Sequence, residues 1–175
     1  MSDSSSLRPT TRLAWKLGDD VSTDIIYPGR YMATVLPTET PQYAFADVAD
    51  LNKGLVSGQI PRGSAIVAGR NFGCGSSREQ AASTLKGYDL VIVAKAFARI
   101  FLQNAINLGL RTIVCPDIEA GVGDELELAE DRVINRTSGK SFATVPLSRS
   151  RQAIIDAGGL ISYARQKLTE SRRTG

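Results

Sequence analysis

Three short apolar runs, SAIVAG (64–69), YDLVIVA (88–94) and RTIVCPD (111–117), alternate with two helix-like stretches in the middle of this chain. Those stretches, SSREQAASTLKG (76–87) and KAFARIFLQNAINLG (95–109), are each long enough to cross back over a sheet. A strand with one wet face alternates polar and apolar residues. These runs do not alternate, so they read as strands covered on both faces, the habit of a parallel sheet. The spacing predicts a βαβαβ unit, with Gly87 and Gly109 at the helix ends.

The flanks read differently. From residue 12, RLAWKLGDDVSTDIIYPGRYMA predicts a short strand and then a turn-rich segment closing on Pro28-Gly29. Residues 37–63 read as loops, with a short helix near PQYAFADVAD (41–50). Beyond Pro116, DELELAEDRVINRTSGKSFATVPL (124–147) alternates polar and apolar residues and breaks at Ser138-Gly139. That is the pattern of an antiparallel hairpin at the edge of a domain. SRSRQAIIDAGGLISYARQKL (148–168) is mostly helical, interrupted at Gly158-Gly159. With no internal repeat and no linker, the chain is expected to be one α/β domain over residues 12–168. A disordered N-terminal tail (1–11) and a basic C-terminal tail (169–175) are expected to flank it.

Composition then removes function classes. At 175 residues and 42% hydrophobic, the chain can bury a core. Its net charge of +3 is too small, and too little clustered, to suggest nucleic acid as a partner. No apolar run approaches the roughly 18 residues that span a bilayer, which argues against a membrane. MSDSSSLRPTTR lacks the basic-then-apolar order of a signal peptide, so a cytoplasmic protein is expected. There are two cysteines, Cys74 and Cys115, and no histidine. An iron–sulfur cluster or a structural zinc takes about three or four Cys or His ligands, so this chain cannot hold one alone. A Ser-His-Asp triad is excluded too. Cys74 reads as a turn residue and Cys115 as core. Chemistry here runs on Ser, Asp, Glu, Arg, Lys, Tyr or Cys, or on groups borrowed from a partner.

The stretch GRNFGCGSSREQA (69–81) sits where such chemistry belongs, at the carboxyl end of a parallel strand and the start of a helix. Unpaired first-turn N–H groups and the helix dipole favour an anion there, and Arg78 adds a fork of donors suited to a carboxylate or phosphate. Two readings stand side by side. Ser76-x-x-Glu79 and Ser77-x-x-Gln80 both fit the capping box, so a serine can simply cap the helix. Alternatively, the serines and Arg78 handle an anionic substrate. Asp19, Asp20, Ser22, Thr23, Asp24 and Arg30 form a second polar cluster, which either makes turns or lines the same mouth. A phosphate-loop Gly-Lys-Ser/Thr and a GxGxxG are both absent, so a nucleotide site has no support.

Taken in order, GDDVSTDIIYPGRYM, GRNFGCGSSREQA and KAFARIFLQNAINLGL resemble the small subunit of the isopropylmalate dehydratase (isopropylmalate isomerase) group in the aconitase superfamily. The resemblance runs over about residues 12–168. It implies the swivelling β/β/α domain, and a hydro-lyase that dehydrates and rehydrates an alkyl-substituted malate. The leading substrate pair is 3-isopropylmalate and 2-isopropylmalate, of leucine biosynthesis; 2,3-dimethylmalate and homocitrate/homoaconitate are the alternatives. It also implies a separate large subunit, in a heterodimer or heterotetramer, carrying a [4Fe-4S] cluster whose iron acts as Lewis acid. By the same resemblance Ser76 is the base that takes a proton beside a carboxylate, Arg78 binds that carboxylate and Ser77 assists. Arg30, Tyr31, Met32, Ala33 and Thr34 occupy the segment where the family reads the substrate's third substituent. Met32 and Ala33 favour an alkyl group there, whereas Arg30 would suit a further carboxylate. The chain departs from the family at Gln80, where Ser-Ser-Arg-Glu is commonly followed by His. The rival from another class is a non-catalytic swivel module that binds a carboxylate or docks a partner; an intact Ser76–Arg78 pair argues against it.

Overall fold

The computed structural model describes residues 9–173. Its centre is a seven-stranded mixed sheet in the order β4-β3-β2-β1-β5-β6-β7. Strands β1 (Thr10–Lys16), β2 (Ala65–Ala68), β3 (Val91–Ala94) and β4 (Arg111–Val114) run parallel. On the other side of β1, strands β5 (Glu125–Leu128), β6 (Arg132–Asn135) and β7 (Ser141–Ala143) form an antiparallel meander. After β7 the chain returns to the far edge, where the Val145 N–H donates to the Val114 carbonyl at 2.8 Å. The sheet therefore curls back on itself.

That curl explains the unbroken apolar strands. Ala65, Val67, Val91 and Val93 face the inside of the curl with Leu13, Cys115, Leu126 and Val133. The intervening Ile66, Ala68, Ile92 and Ala94 face a helical layer with Phe72, Ala81, Leu85, Phe101 and Ala105. The layer holds α2 (Ala49–Val56), α3 (Glu79–Lys86) and α4 (Arg99–Leu108); a single-turn α1 (Thr23–Ile26) precedes them. Helices α5 (Arg149–Asp156) and α6 (Leu160–Arg173) follow the meander and contact α4. No helix among the described residues is long and apolar enough to cross a membrane.

Several expected boundaries move. The helix expected near 41–50 is a 3-10 turn (Thr40–Tyr43) followed by α2, so its helical residues fall mostly later. The hairpin expected over 124–147 is three strands, because the chain also turns between Leu128 and Arg132. Strand β1 starts at Thr10, inside the expected N-terminal tail, since Thr10 and Thr11 pair with Glu127 and Leu126. Helix α6 likewise runs on to Arg173. Residues 1–8 and 174–175 of the expected tails lie outside the described residues. Both central helices start late, α3 at Glu79 rather than Ser76 and α4 at Arg99 rather than Lys95. For α4 the cause is tertiary pairing: the Phe72 N–H donates to the Ala96 carbonyl (3.0 Å) and the Ala98 N–H to the Phe72 carbonyl (2.9 Å). Those bonds hold residues 96–98 extended against local helix propensity.

Cys115 is fully buried, and burial, with Asp117 nearby, pushes its thiol up to about 11. Cys74 is half-buried in the loop after β2. A disulfide-exchange reagent at pH 8 is therefore expected to modify one thiol in the folded protein, Cys74, and two in denaturant. Rapid modification of both in the native state would show that the curled sheet is not closed over Cys115.

Candidate active site

The site is built where β1, β2 and β3 end. Their parallel pairing continues into the loops that follow them. The Asp20 N–H donates to the Arg70 carbonyl (2.9 Å), the Gly73 N–H to the Val21 carbonyl (2.7 Å) and the Thr23 N–H to the Cys74 carbonyl (2.8 Å). On the other flank Phe72 pairs with the 96–98 segment, so the glycine loop is laced on both sides. Gly73 and Gly75 take φ of +83° and +94°, which L side chains avoid. Gly73 also has no room for one: a Cβ there would lie 2.2 Å from the Phe101 ring. The bare backbone brings the loop against α4.

The capping reading of the serines is overturned. The N-cap of α3 is Arg78, and no side chain caps the helix. Ser76 and Ser77 stand before it, exposed, and neither hydroxyl makes a hydrogen bond among the described residues. What fixes their backbone is Thr23, whose buried hydroxyl donates to the Ser76 carbonyl at 2.9 Å.

Arg78 is oriented from the second polar cluster. Its Nη1 donates to Asp24 Oδ1 (2.5 Å) and to the Tyr27 carbonyl (3.1 Å), and the Gly29 N–H also donates to Asp24 Oδ1 (2.9 Å). The Arg78 side chain is 18% exposed and that of Asp24 64%. Arg78, then the Gly29 N–H, hold the Asp24 carboxyl below its ordinary range. Both Arg78 bonds use Nη1, so the Nε and Nη2 donors remain for a ligand. The rest of the cluster is structural. Asp19 accepts from the Arg70 N–H, Asp20 accepts from the Asn71 amide, and Ser22 caps α1.

Ser76, Ser77 and Arg78 line one open cleft of about 210 Å³, with Thr23 on one side and the first turns of α4 on the other. Arg30, Tyr31, Met32, Ala33 and Thr34 do not line it. They lie one step away: the Tyr27 hydroxyl donates to the carbonyls of Tyr31 (3.0 Å) and Thr34 (3.3 Å), while the Tyr27 carbonyl receives Arg78. Arg30 is held by both oxygens of Asp47, at 2.9 and 2.5 Å, and lies 4.6 Å over the Tyr31 ring. The cleft also contains Arg99 and Asn104, which sequence reasoning left in the core helix. A signal was there: Arg99 puts a cation in the first turn of a helix, where the dipole disfavours it.

Residues 36–117 match the family described as the aconitase C-terminal domain. The 3-isopropylmalate dehydratase small subunit of Methanosarcina mazei is 45% identical over 162 residues, covering 90% of this chain and 97% of that protein. Its counterpart from Heliobacterium modesticaldum is 40% identical over 167 residues, 93% of this chain and 98% of that one. The crystal structure of a 3-isopropylmalate dehydratase from Methanocaldococcus jannaschii superposes with a TM-score of 0.84 at 35% identity, covering 95% of this chain and 98% of that one. The chain belongs to the 3-isopropylmalate dehydratase small-subunit family.

Membership in this family implies an iron–sulfur cluster, and the residues of the small subunit do not fit one. Cys115 points into the sealed sheet, its Sγ 3.5 Å from the Ala143 carbonyl, while Cys74 lies in the glycine loop. Among the described residues no three His, Cys, Asp or Glu side chains are grouped to hold a metal ion. Gln80, the departure from the family pattern, sits in the first turn of α3 and does not line the cleft.

The Asp24 carboxylate makes a pH-dependent contribution. Its folded value lies below the unfolded value of 3.8, so the stabilisation is full above that range and is lost as pH falls below it. Asp24→Asn is expected to lose less of its urea midpoint between pH 6 and pH 3 than the parent does, followed by Trp15 fluorescence. An equal acid loss in the two proteins would show that the Arg78–Asp24 pair does not form in solution.

Proposed function

We propose that this chain is the small subunit of a hydro-lyase that interconverts 3-isopropylmalate and 2-isopropylmalate in leucine biosynthesis. In this reading it supplies a base and a carboxylate clamp to a site that a large subunit completes. The observation that carries the reading is the Ser76-Ser77-Arg78 run, whose side chains line the cleft and none of which caps α3 by a hydrogen bond. The cluster belongs to the large subunit in this reading, in a heterodimer or heterotetramer, and the chain acts in the cytoplasm.

The chain's own share of the reaction is carboxylate binding and proton movement. The free edge of Arg78 matches a substrate carboxylate in bidentate geometry, and Ser77 offers a further donor. A carboxylate held there leaves its neighbouring C–H beside Ser76, whose Oγ takes the proton on dehydration and returns it on rehydration. A serine hydroxyl is a poor base, and a chain without histidine has no imidazole to activate it. Stabilisation of the alkoxide therefore falls to Arg78 and to the unpaired N–H groups opening α3.

Arg30 supports an alkyl substituent over a third carboxylate. The cation that a homocitrate-type substrate needs is already spent on Asp47, while Met32, Val35 and Leu36 nearby present exposed apolar surface. For the same reason 3-isopropylmalate is preferred here to homocitrate/homoaconitate. A binding-only module is disfavoured because it has no use for an uncapped serine beside an oriented arginine.

The test is the chain assembled anaerobically with its large subunit. Ser76→Ala is expected to lower turnover by about 10²- to 10⁴-fold and to abolish exchange of the substrate's C–H with deuterated water, with the complex intact. Retained exchange would remove Ser76 from the role of base. Arg78→Lys is expected to lower kcat/KM by roughly 10- to 100-fold, because an ammonium cannot form the bidentate fork. Unchanged kinetics would show that Arg78 does not touch the substrate.

A further inference from the structure

We infer that Arg99 and Asn104, on the first turns of α4, are substrate-binding residues that grip from the opposite wall the carboxylate held by Arg78. This rests on the reading above and extends its site.

Charge balance is the first ground. The cleft contains two arginines, Arg78 and Arg99, and no carboxylate of its own. Arg78 is partly compensated by Asp24 from behind. Arg99 is exposed and forms no ion pair among the described residues, and the first turn of α4 holds no acidic residue. The three N–H groups that open this ten-residue helix add their own partial positive charge. A cation set on such an end costs free energy until an anion arrives.

Hydrogen-bond capacity is the second. A carboxylate offers about four lone-pair sites. With Nη1 committed to Asp24 and Tyr27, Arg78 fills about two through its remaining edge. Arg99 and Asn104, from α4, line the same cleft and carry further donors. The gap between the walls is set by Gly73, since any side chain there would meet the Phe101 ring and push α4 away.

The competing role for Arg99 is an ion pair with an acidic residue of the large subunit. Both are separated by one set of measurements on the assembled complex with 3-isopropylmalate. Arg99→Gln is expected to raise KM about 10- to 100-fold, with kcat changed less and the subunit dissociation constant unmoved. Arg99→Lys should recover part of that loss. Asn104→Asp, which sets a negative charge against the carboxylate, should raise KM as well. An unchanged KM in Arg99→Gln overturns the inference, and weakened assembly with normal KM assigns Arg99 to the partner instead. In either case normal turnover by the unsubstituted complex leaves the hydro-lyase reading standing. Absence of turnover by that complex overturns both. Thermal melting of each variant checks that the fold is kept, as expected for the exposed Arg99 and the half-buried Asn104.

Discussion

Everything at the active end depends on backbone hydrogen bonds that persist after the sheet has ended. Parallel strands normally release their chains into separate loops, each free to wander. Here the loops after β1, β2 and β3 stay paired through Gly73 to Val21, Thr23 to Cys74, and Phe72 to Ala96 and Ala98. The pairing satisfies backbone groups that would otherwise need water, and it makes a rigid shelf of three strands' worth of loop. Function placed on loops gains precision only when something holds them, and here the ladder itself does so. The late start of α4 follows from it, and before α3 the Thr23 hydroxyl adds a side-chain bond to the Ser76 carbonyl. Residues 96–98, which local propensity would coil into α4, are taken up by the shelf, while Ser76, Ser77 and Arg78 stand in front of α3 rather than inside it.

The arginines show how one residue type is divided among tasks. Arg30 is neutralised by Asp47 and flattened on Tyr31, so it acts as a brace between the 30–34 and 43–47 segments. Both partners are exposed, and such a pair contributes little stability; what it fixes is direction. Arg78 is more deeply set and is gripped through one nitrogen, which orients the rest of the fork without saturating it. Arg99 has no partner among the described residues and sits on a helix end that repels it. The charge is thus graded across the cleft, from compensated to uncompensated, towards the end where the proposed carboxylate is held.

Much of this was legible in the residues. The apolar runs 64–69, 88–94 and 111–117 carry the parallel strands because burial on both faces leaves no polar positions, and that signal survives without knowing the neighbours. The motif 69–81 pointed to the candidate cleft because glycines, serines and an arginine at a strand-to-helix junction have few other physical uses, and Ser76, Ser77 and Arg78 do line it. Pairing between distant segments was not legible. Nothing in SSREQ tells a capping box from a serine held one turn short of the helix, since the difference lies in Thr23 reaching the Ser76 carbonyl from more than fifty residues away. The three-stranded meander was missed for the same reason: the turn between Leu128 and Arg132 has no glycine or proline, and β6 is defined by its partners on both sides. Arg99 was hidden by its company, a lone cation in an apolar helix whose exposure becomes visible only when the cleft is assembled.

The size of the cleft bears on why, in the proposed reading, the site is divided between chains. At about 210 Å³ and open to solvent, it is smaller than the roughly 300–1,000 Å³ of pockets that enclose a small ligand. In the proposed reading it takes one end of a substituted malate and leaves the other protruding. A serine alkoxide cannot persist beside bulk water, because the low-dielectric surroundings that make Arg78 and the helix N–H groups effective are then lost. Ile100, which lines the cleft, and Ile25 and Met32, from the segments of Asp24 and Arg30, are exposed here although each is costly to leave in water. Closing a second surface over them expels that water and raises the strength of every charge in the cleft in the same motion. A domain that swings onto a partner can admit substrate through the gap and then make the site reactive by shutting it, which a cleft complete in one chain would have to achieve with a separate lid.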